Sequence, residues 1–454
     1  MSTTPVMPLL PPDYHREVAR ELVEFFHTFY RFGSATNTFN LNDPQYQQFL
    51  HNLLFGSLTI GALVFIILCI IVVRRTILHI RSAYARRWAM ESNSLEISAV
   101  ILLTVLAISS LSGLLGEAQV DYSASVVRGA MTNMSHVFTD SQHLAWQSAN
   151  ASADVRFRAD SMIVSFNESD LPQQASKLSL ESLRMLHAAR DLANVTDALL
   201  PKNYADVAKE WQFSYFMLKS TTNFAILSVA LASFLSISSI GWSMLTPLRV
   251  SILIILSVVP ISHTLIGVYL SSTIMTADFC AAPMNSTVTL LDSTPVVNYY
   301  IECQPNVTNP FKSYVGSLQD TTDVVSTLQK ELEDYAKSHG DIGSRMKNDF
   351  LDPIGAQIQH IDEFLTTFNK TQSCQPVAAS FEHAVDAYCE YGVLGFFSMW
   401  VHQIILCLIL FISVVTSVLV YERVHIREIR TDIRYQMLST YDDDNMEHVY
   451  LSSD

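Results

Sequence analysis

The stretch Ala277–Phe311, ADFCAAPMNSTVTLLDSTPVVNYYIECQPNVTNPF, decides how the rest of the chain must fold. It follows an apolar run long enough to cross a bilayer. It carries two cysteines, Cys280 and Cys303, and two N-x-S/T sequons, at Asn285 and Asn306. Paired cysteines need an oxidising compartment, and used sequons need the lumenal or extracellular face. The stretch therefore reads as an extracytoplasmic strap attached to a membrane helix.

Outward from the strap, composition sets the class. Across 454 residues, 49% are hydrophobic and only 16% charged, which is too apolar for a soluble protein of this size and points to several membrane spans. A net charge of −15 argues against a nucleic-acid partner, whose phosphates need a basic surface. Four of the six cysteines, Cys280, Cys303, Cys374 and Cys389, fall in one interspan segment. They can form two disulfides, with three pairings open. Cys69 and Cys407 lie inside apolar runs and read as small buried hydrophobes.

Five apolar segments stand out: residues 53–73, 97–115, 224–242, 250–270 and 399–420. At a rise of about 1.5 Å per residue each covers about 30 Å, the thickness of a bilayer core. Residues 1–48 lack the basic start, apolar core and cleavage site of a signal peptide, so no leader is expected. Orientation follows from basic residues beside the spans. The link 74–96 holds Arg74, Arg75, Arg81, Arg86 and Arg87, and the segment 421–454 holds Arg423, Arg427, Arg430 and Arg434. Both are expected in the cytosol, together with the turn 243–249. The N-terminus (1–52) and the segments 116–223 and 271–398 then face outward. The sequons agree without reference to hydropathy: Asn133, Asn150, Asn167 and Asn194 fall in the first outer segment, Asn285, Asn306 and Asn369 in the second, and none elsewhere. A Pro11–Tyr14 PPDY resembles a WW-domain ligand but lies on the outer side in this topology.

The outer segments carry helical periodicity. Val127, Met131, Met134, Phe138 and Ala145 form one stripe, continued by Leu183, Leu186 and Ala193 on a later helix. Val325, Leu328 and Leu332 form another, and Ile354, Ile358, Ile361, Leu365 and Phe368 a third. The expected fold is an all-α membrane protein with an all-α extracellular domain built from both outer segments. The acidic end, YDDDNMEHVYLSSD, is expected to be solvated and disordered.

With this topology the chain resembles the tweety family of five-span membrane proteins. The resemblance runs from YQQ at Tyr46 to YDDD at Tyr441 and is most specific in the strap: Ala277-Asp278-Phe279-Cys280, Asn285, Tyr299-Tyr300-Ile301-Glu302-Cys303 and Asn309-Pro310-Phe311. Cys374 and Cys389 match a later pair of family cysteines. The resemblance implies a homodimeric plasma-membrane glycoprotein described as a volume-regulated or calcium-activated anion (chloride) channel. It also implies the disulfides Cys280–Cys389 and Cys303–Cys374. Some members carry an Arg-Gly-Asp whose arginine has been proposed to line the permeation path. Here Ala188-Ala189-Arg190-Asp191 keeps the arginine without the glycine, so Arg190 is marked as an anion contact and integrin binding is not supported. Some members bind calcium just outside the second span. Here Glu117 and Asp121 stand at i and i+4, a different spacing from the family's N-S-E-x-x-D; they can face one ion, although calcium wants six or more oxygens and a solvated helix face is the competing reading.

The residues alone say less about conduction. The five apolar cores hold no Lys, Arg, Asp or Glu. His263, three residues after Pro260, is singled out as a gate or pH-sensitive element, or as a histidine bonded to a carbonyl freed by the proline. Serines in the third span permit close helix packing as readily as they line water. No HExxH, GxxxxGK[ST], GxSxG or CxxC occurs, and His136, His143, His187, His339, His360 and His383 are scattered singly, so no enzyme is expected. The competing class is a non-conducting, lipid-binding or membrane-organising glycoprotein, since prominins share five spans and two glycosylated outer segments, though with longer ones.

Overall fold

The computed structural model describes residues 12–29, 31, 37–75, 94–166, 172–199, 204–290, 295–303 and 306–450. Arg81, Arg86, Arg87 and Asn167 lie outside the described residues. Among those described there is no β-strand. The helices are α1 (Pro12–His27), α2 (Pro44–Val73), α3 (Ser94–Ser165), α4 (Gln173–Leu199), α5 (Tyr204–Trp242), α6 (Leu245–Ala281), α7 (Pro283–Leu290), α8 (Pro295–Glu302), α9 (Lys312–Lys337), α10 (Gly340–Met346), α11 (Asp352–Thr371), α12 (Cys374–Ala387) and α13 (Val393–Tyr450). Single π turns precede α11, at Lys347–Leu351, and α13, at Tyr388–Gly392. Five helices, α2, α3, α5, α6 and α13, are long and apolar enough to cross a membrane.

The chain divides into two compact units. The first comprises Met1–Ala124, Phe213–Ala282 and Ala387–Asp454, and the second Ser125–Gln212 and Pro283–Asp386. The first contains all five apolar segments. Its interior is filled by Leu103, Leu106, Ile255, Leu406, Leu410 and Val414, among others. Without a hydrophobic drive between helices inside lipid, close backbone approach must hold the spans together. Glycine supplies it at two crossings. A Cβ on Gly267 of α6 would lie 3.0 Å from the Leu54 Cα of α2, and one on Gly395 of α13 would lie 2.9 Å from the Val120 nitrogen of α3. The turn between α5 and α6 closes with Ser243 at φ 54° while Met244 N–H donates back to the Ser239 carbonyl at 2.9 Å. That 6→1 bond is the Schellman termination, made here without its usual glycine.

The second unit has its own core. The expected stripes converge in it: Met134, Phe138, Ala145, Ala193, Val325, Leu332, Ile354, Ile358, Ile361, Leu365 and Phe368 are all buried. Val127, Met131, Leu183 and Leu328 are half-buried. Tyr300 packs its ring 5.4 Å from that of Phe138 and donates its hydroxyl to Gln372, and burial pushes its phenol well above the usual range.

Each unit also contains one disulfide. Cys280 is bonded to Cys389, with Cα atoms 5.6 Å apart, inside the first unit. Cys303 is bonded to Cys374, with Cα atoms 5.5 Å apart, inside the second. Cys69 and Cys407 are free thiols.

One expectation needs correction. The acidic end is helical as far as Tyr450, as the continuation of α13. After Gly395 the segment contains no glycine or proline, and a helix already nucleated by the fifth span extends at little cost, because only initiation is expensive. The PPDY residues Pro12 to Tyr14 likewise lie in α1, whereas a WW-domain ligand is an extended polyproline segment.

Two outcomes follow. Cys280→Ser and Cys303→Ser should each impair surface delivery and cost about 2–5 kcal/mol, whereas Cys407→Ser should deliver normally; surface biotinylation compares them. Burial, with the charge of Asp323 behind it, raises the Asp362 carboxyl above its ordinary value, and its Oδ1 is buried with no hydrogen-bond partner among the described residues. Because the folded state holds the proton more tightly, this group favours folding at low pH and loses that contribution as pH rises through its raised value. Asp362→Asn should therefore raise Tm at neutral pH, and the gain should vanish below the ordinary carboxylate range.

Candidate functional site

Ionisable side chains of the first unit gather beside the span ends. Asp278, at the end of α6, is fully buried and accepts hydrogen bonds from the Arg31 guanidinium and from Tyr46 Oη at 2.9 Å. His27 Nδ1 lies 3.2 Å from the same carboxylate. The Arg31 guanidinium also stacks over the rings of Tyr46, at 5.7 Å, and Phe49, at 5.5 Å. A carboxylate out of water is tolerable only when paired and fully bonded, and here donors from α1, α2 and the connection between them converge on α6. Sequence reasoning quoted Asp278 and Tyr46 as family markers but gave neither a role and passed over Arg31. The available signal was an aspartate eight residues beyond an apolar span, with an arginine in an otherwise unassigned N-terminal segment.

The second group surrounds the residues assigned to calcium. Glu117 and Asp121 do lie together on α3, but Lys219 of α5 stands between them. Its Nζ donates to Asp121 and lies 4.0 Å from Glu117. Asn223 donates to Glu117 at 2.9 Å, and Tyr215 donates to Asp121. An ammonium with three donors thus occupies the position proposed for a divalent ion. Among the described residues, no three His, Cys, Asp or Glu side chains converge as a metal site requires.

His263 donates from Nδ1 to the Val259 carbonyl at 2.9 Å, one turn back on α6. Proline 260 instead frees the carbonyl of Leu256, four residues before it, so the proline-relief reading of this histidine is corrected. Its Nδ1 also lies 3.5 Å from Cys407 Sγ. A second intramembrane histidine, His402 of α13, is plain in the sequence and was overlooked. It is buried against Gly113, where a Cβ would come within 2.6 Å of its Nε2.

At the basic end of the spans, Arg427 and Arg423 of α13 reach Glu96 of α3 at 2.9 and 3.6 Å. Arg249 Nε donates to Tyr421 Oη at 2.6 Å.

In the second unit Arg190 is exposed on α4, and no carboxylate lies within ion-pair distance among the described residues. Asn133, Asn150, Asn194, Asn285, Asn306 and Asn369 are all exposed there. Arg190 and His263 belong to different units, so nothing in either unit assembles them into one anion path.

The aligned comparisons agree with this layout. The sequence profile of the Tweety family matches residues 18–441. The chain is 28% identical over 155 residues to Protein tweety of Drosophila melanogaster, an alignment that covers 33% of this chain and 15% of that protein. The family match takes in the Asp278 cluster, all four bonded cysteines and every candidate span, and on it the chain belongs to the tweety family.

Proposed function

We propose that this tweety-family protein is a homodimeric plasma-membrane glycoprotein that conducts chloride or other anions under volume or calcium control. Its N-terminus and second unit face outward and its C-terminus lies in the cytosol. Family membership over residues 18–441 is the observation that carries this reading. The orientation is supported by Arg74 and Arg75 at the end of α2 and Arg423 and Arg427 on α13, at span ends that would face the cytosol. It is supported equally by the placement of all sequons in the sequence of the second unit. Arg190, exposed and cationic, is the candidate anion contact. No bond-making chemistry enters this reading, so the protein is treated as a transporter of ions rather than an enzyme.

A second reading is favoured by the interior of the spans. Among the described residues the polar side chains buried along the five apolar segments are neutral or histidine, such as Ser236, Ser262, His402 and Gln403, with no Lys, Arg, Asp or Glu, whereas residues that mark an ion pathway are often charged. A non-conducting protein that binds or organises lipid fits that interior.

Two measurements decide. Purified protein in planar bilayers should pass an anion-selective current, and Arg190→Ala should change its selectivity. No current under osmotic or calcium stimulation, together with stoichiometric lipid in solvent extracts, would establish the second reading instead. For calcium, binding at Glu117 and Asp121 must displace Lys219. A calcium-dependent rise in Tm should be abolished by Asp121→Asn and enlarged by Lys219→Met. An unchanged Tm in all three proteins would remove calcium from this site.

A further inference from the structure

The packing of α1 sets its depth. Phe26 is 1% exposed and clusters with Phe49, Ile274 and Ala277, flanked by Leu53, Leu270 and Trp400. Its ring lies 5.9 Å from that of Phe397 and 6.0 Å from that of Trp400. Leu53 is the first residue of the first span, Leu270 the last of the fourth and Trp400 the second of the fifth. Phe26 is therefore level with the boundary at which three spans leave the hydrocarbon.

On the same helix Phe25 is 59% exposed, and Phe29, two residues past its end, is 37% exposed, with ring centroids 6.5 Å apart. Both touch the anchored ring: Phe25 lies edge-on to Phe26 at 5.1 Å and Phe29 lies 6.5 Å from it. With half-buried Val18 and Leu22, Phe25 forms an i, i+4, i+7 stripe, the spacing of an apolar face on a helix, and Phe29 follows in the turn that ends it. Glu17 and Arg20 are exposed further toward the helix start, away from the boundary. Near the start of the first span α2 also exposes apolar side chains, Phe55 at 58% and Leu58 at 41%. Aromatic rings favour this interfacial depth, where an apolar body meets the headgroup layer.

We propose that α1 is an interfacial membrane-contact helix: Phe25 and Phe29 insert into the lipid of the leaflet bordering this end of the spans. The buried pair Arg31–Asp278 and the Phe26 anchor hold the helix at that depth. The occupant of the exposed face is phospholipid, at the junction of headgroups and acyl chains. This contact does not depend on whether the chain conducts anions.

Site-directed spin labelling of the full chain in phosphatidylcholine vesicles tests the proposal. Labels are placed at Phe25→Cys, Phe29→Cys and Glu17→Cys, each in a Cys69→Ala, Cys407→Ala background. At positions 25 and 29 the label should collide with oxygen several-fold more often than with a water-soluble nickel chelate, and at 17 the order should reverse. Aqueous accessibility at both 25 and 29 would overturn the proposal. Dipolar coupling between labels on two copies, with both reagents excluded, would also overturn it by assigning the face to a second chain. Photolabelling of unmodified protein by an apolar diazirine provides a check free of substitutions. The peptide containing residues 21–29 should incorporate the probe, and absence of label there while α2 is labelled would count against the proposal.

Discussion

A carboxylate with no solvent exposure, Asp278, stands at the end of the fourth span, and the guanidinium of Arg31 makes that burial tolerable. Removing one partner of such a pair leaves a bare charge and typically costs about 3–5 kcal/mol, so the contact constrains everything around it. Tyr46 brings in the start of α2 and His27 the end of α1. Two residues further along, Cys280 bonds covalently to Cys389 beside α13. Three spans and the N-terminal helix are thus fastened at one end by ionic, hydrogen-bonded and covalent links within a few residues of each other.

Beside these links, and the Arg423 and Arg427 pairs with Glu96 at the opposite end, the spans are held by shape. Lipid is as apolar as leucine, so burial supplies no net drive between helices and dispersion contacts must do so. Glycines at crossing points let backbones approach to van der Waals distance, as Gly267 does against α2 and Gly395 against α3. The second unit follows the rules of a water-soluble helical bundle, with its own apolar core and its own disulfide, Cys303–Cys374. This division of physics explains why the sequons and the amphipathic stripes belong to one unit and the uninterrupted apolar runs to the other.

For function, the consequence is that charged side chains gather at the span ends, while the polar groups buried along the spans are serines, Gln403 and His402. Glu117 and Asp121 are already satisfied by Lys219, Asn223 and Tyr215. The intramembrane histidines are lodged against backbone, His263 on the Val259 carbonyl and His402 on Gly113. The anion path draws on family membership, while the proposed lipid contact of α1 draws on the packing of Phe26 at the span ends.

The sequence by itself determined the helical class, the five spans and the buried stripes, because each rests on a local rule: about 30 Å of apolar helix crosses a bilayer and a 3.6-residue period buries one face. Resemblance added the cysteine partners. Only the tertiary structure decided what involves residues far apart in the chain. Arg31 meets Asp278 across 247 positions, and no periodicity encodes such a meeting. Lys219 enters between Glu117 and Asp121 from a helix about a hundred residues away, so a pair that reads as a cation site on one helix becomes an ion pair between two. The helical acidic end failed for the opposite reason: composition favours solvation, but a helix already started continues until something breaks it, and nothing in that segment does.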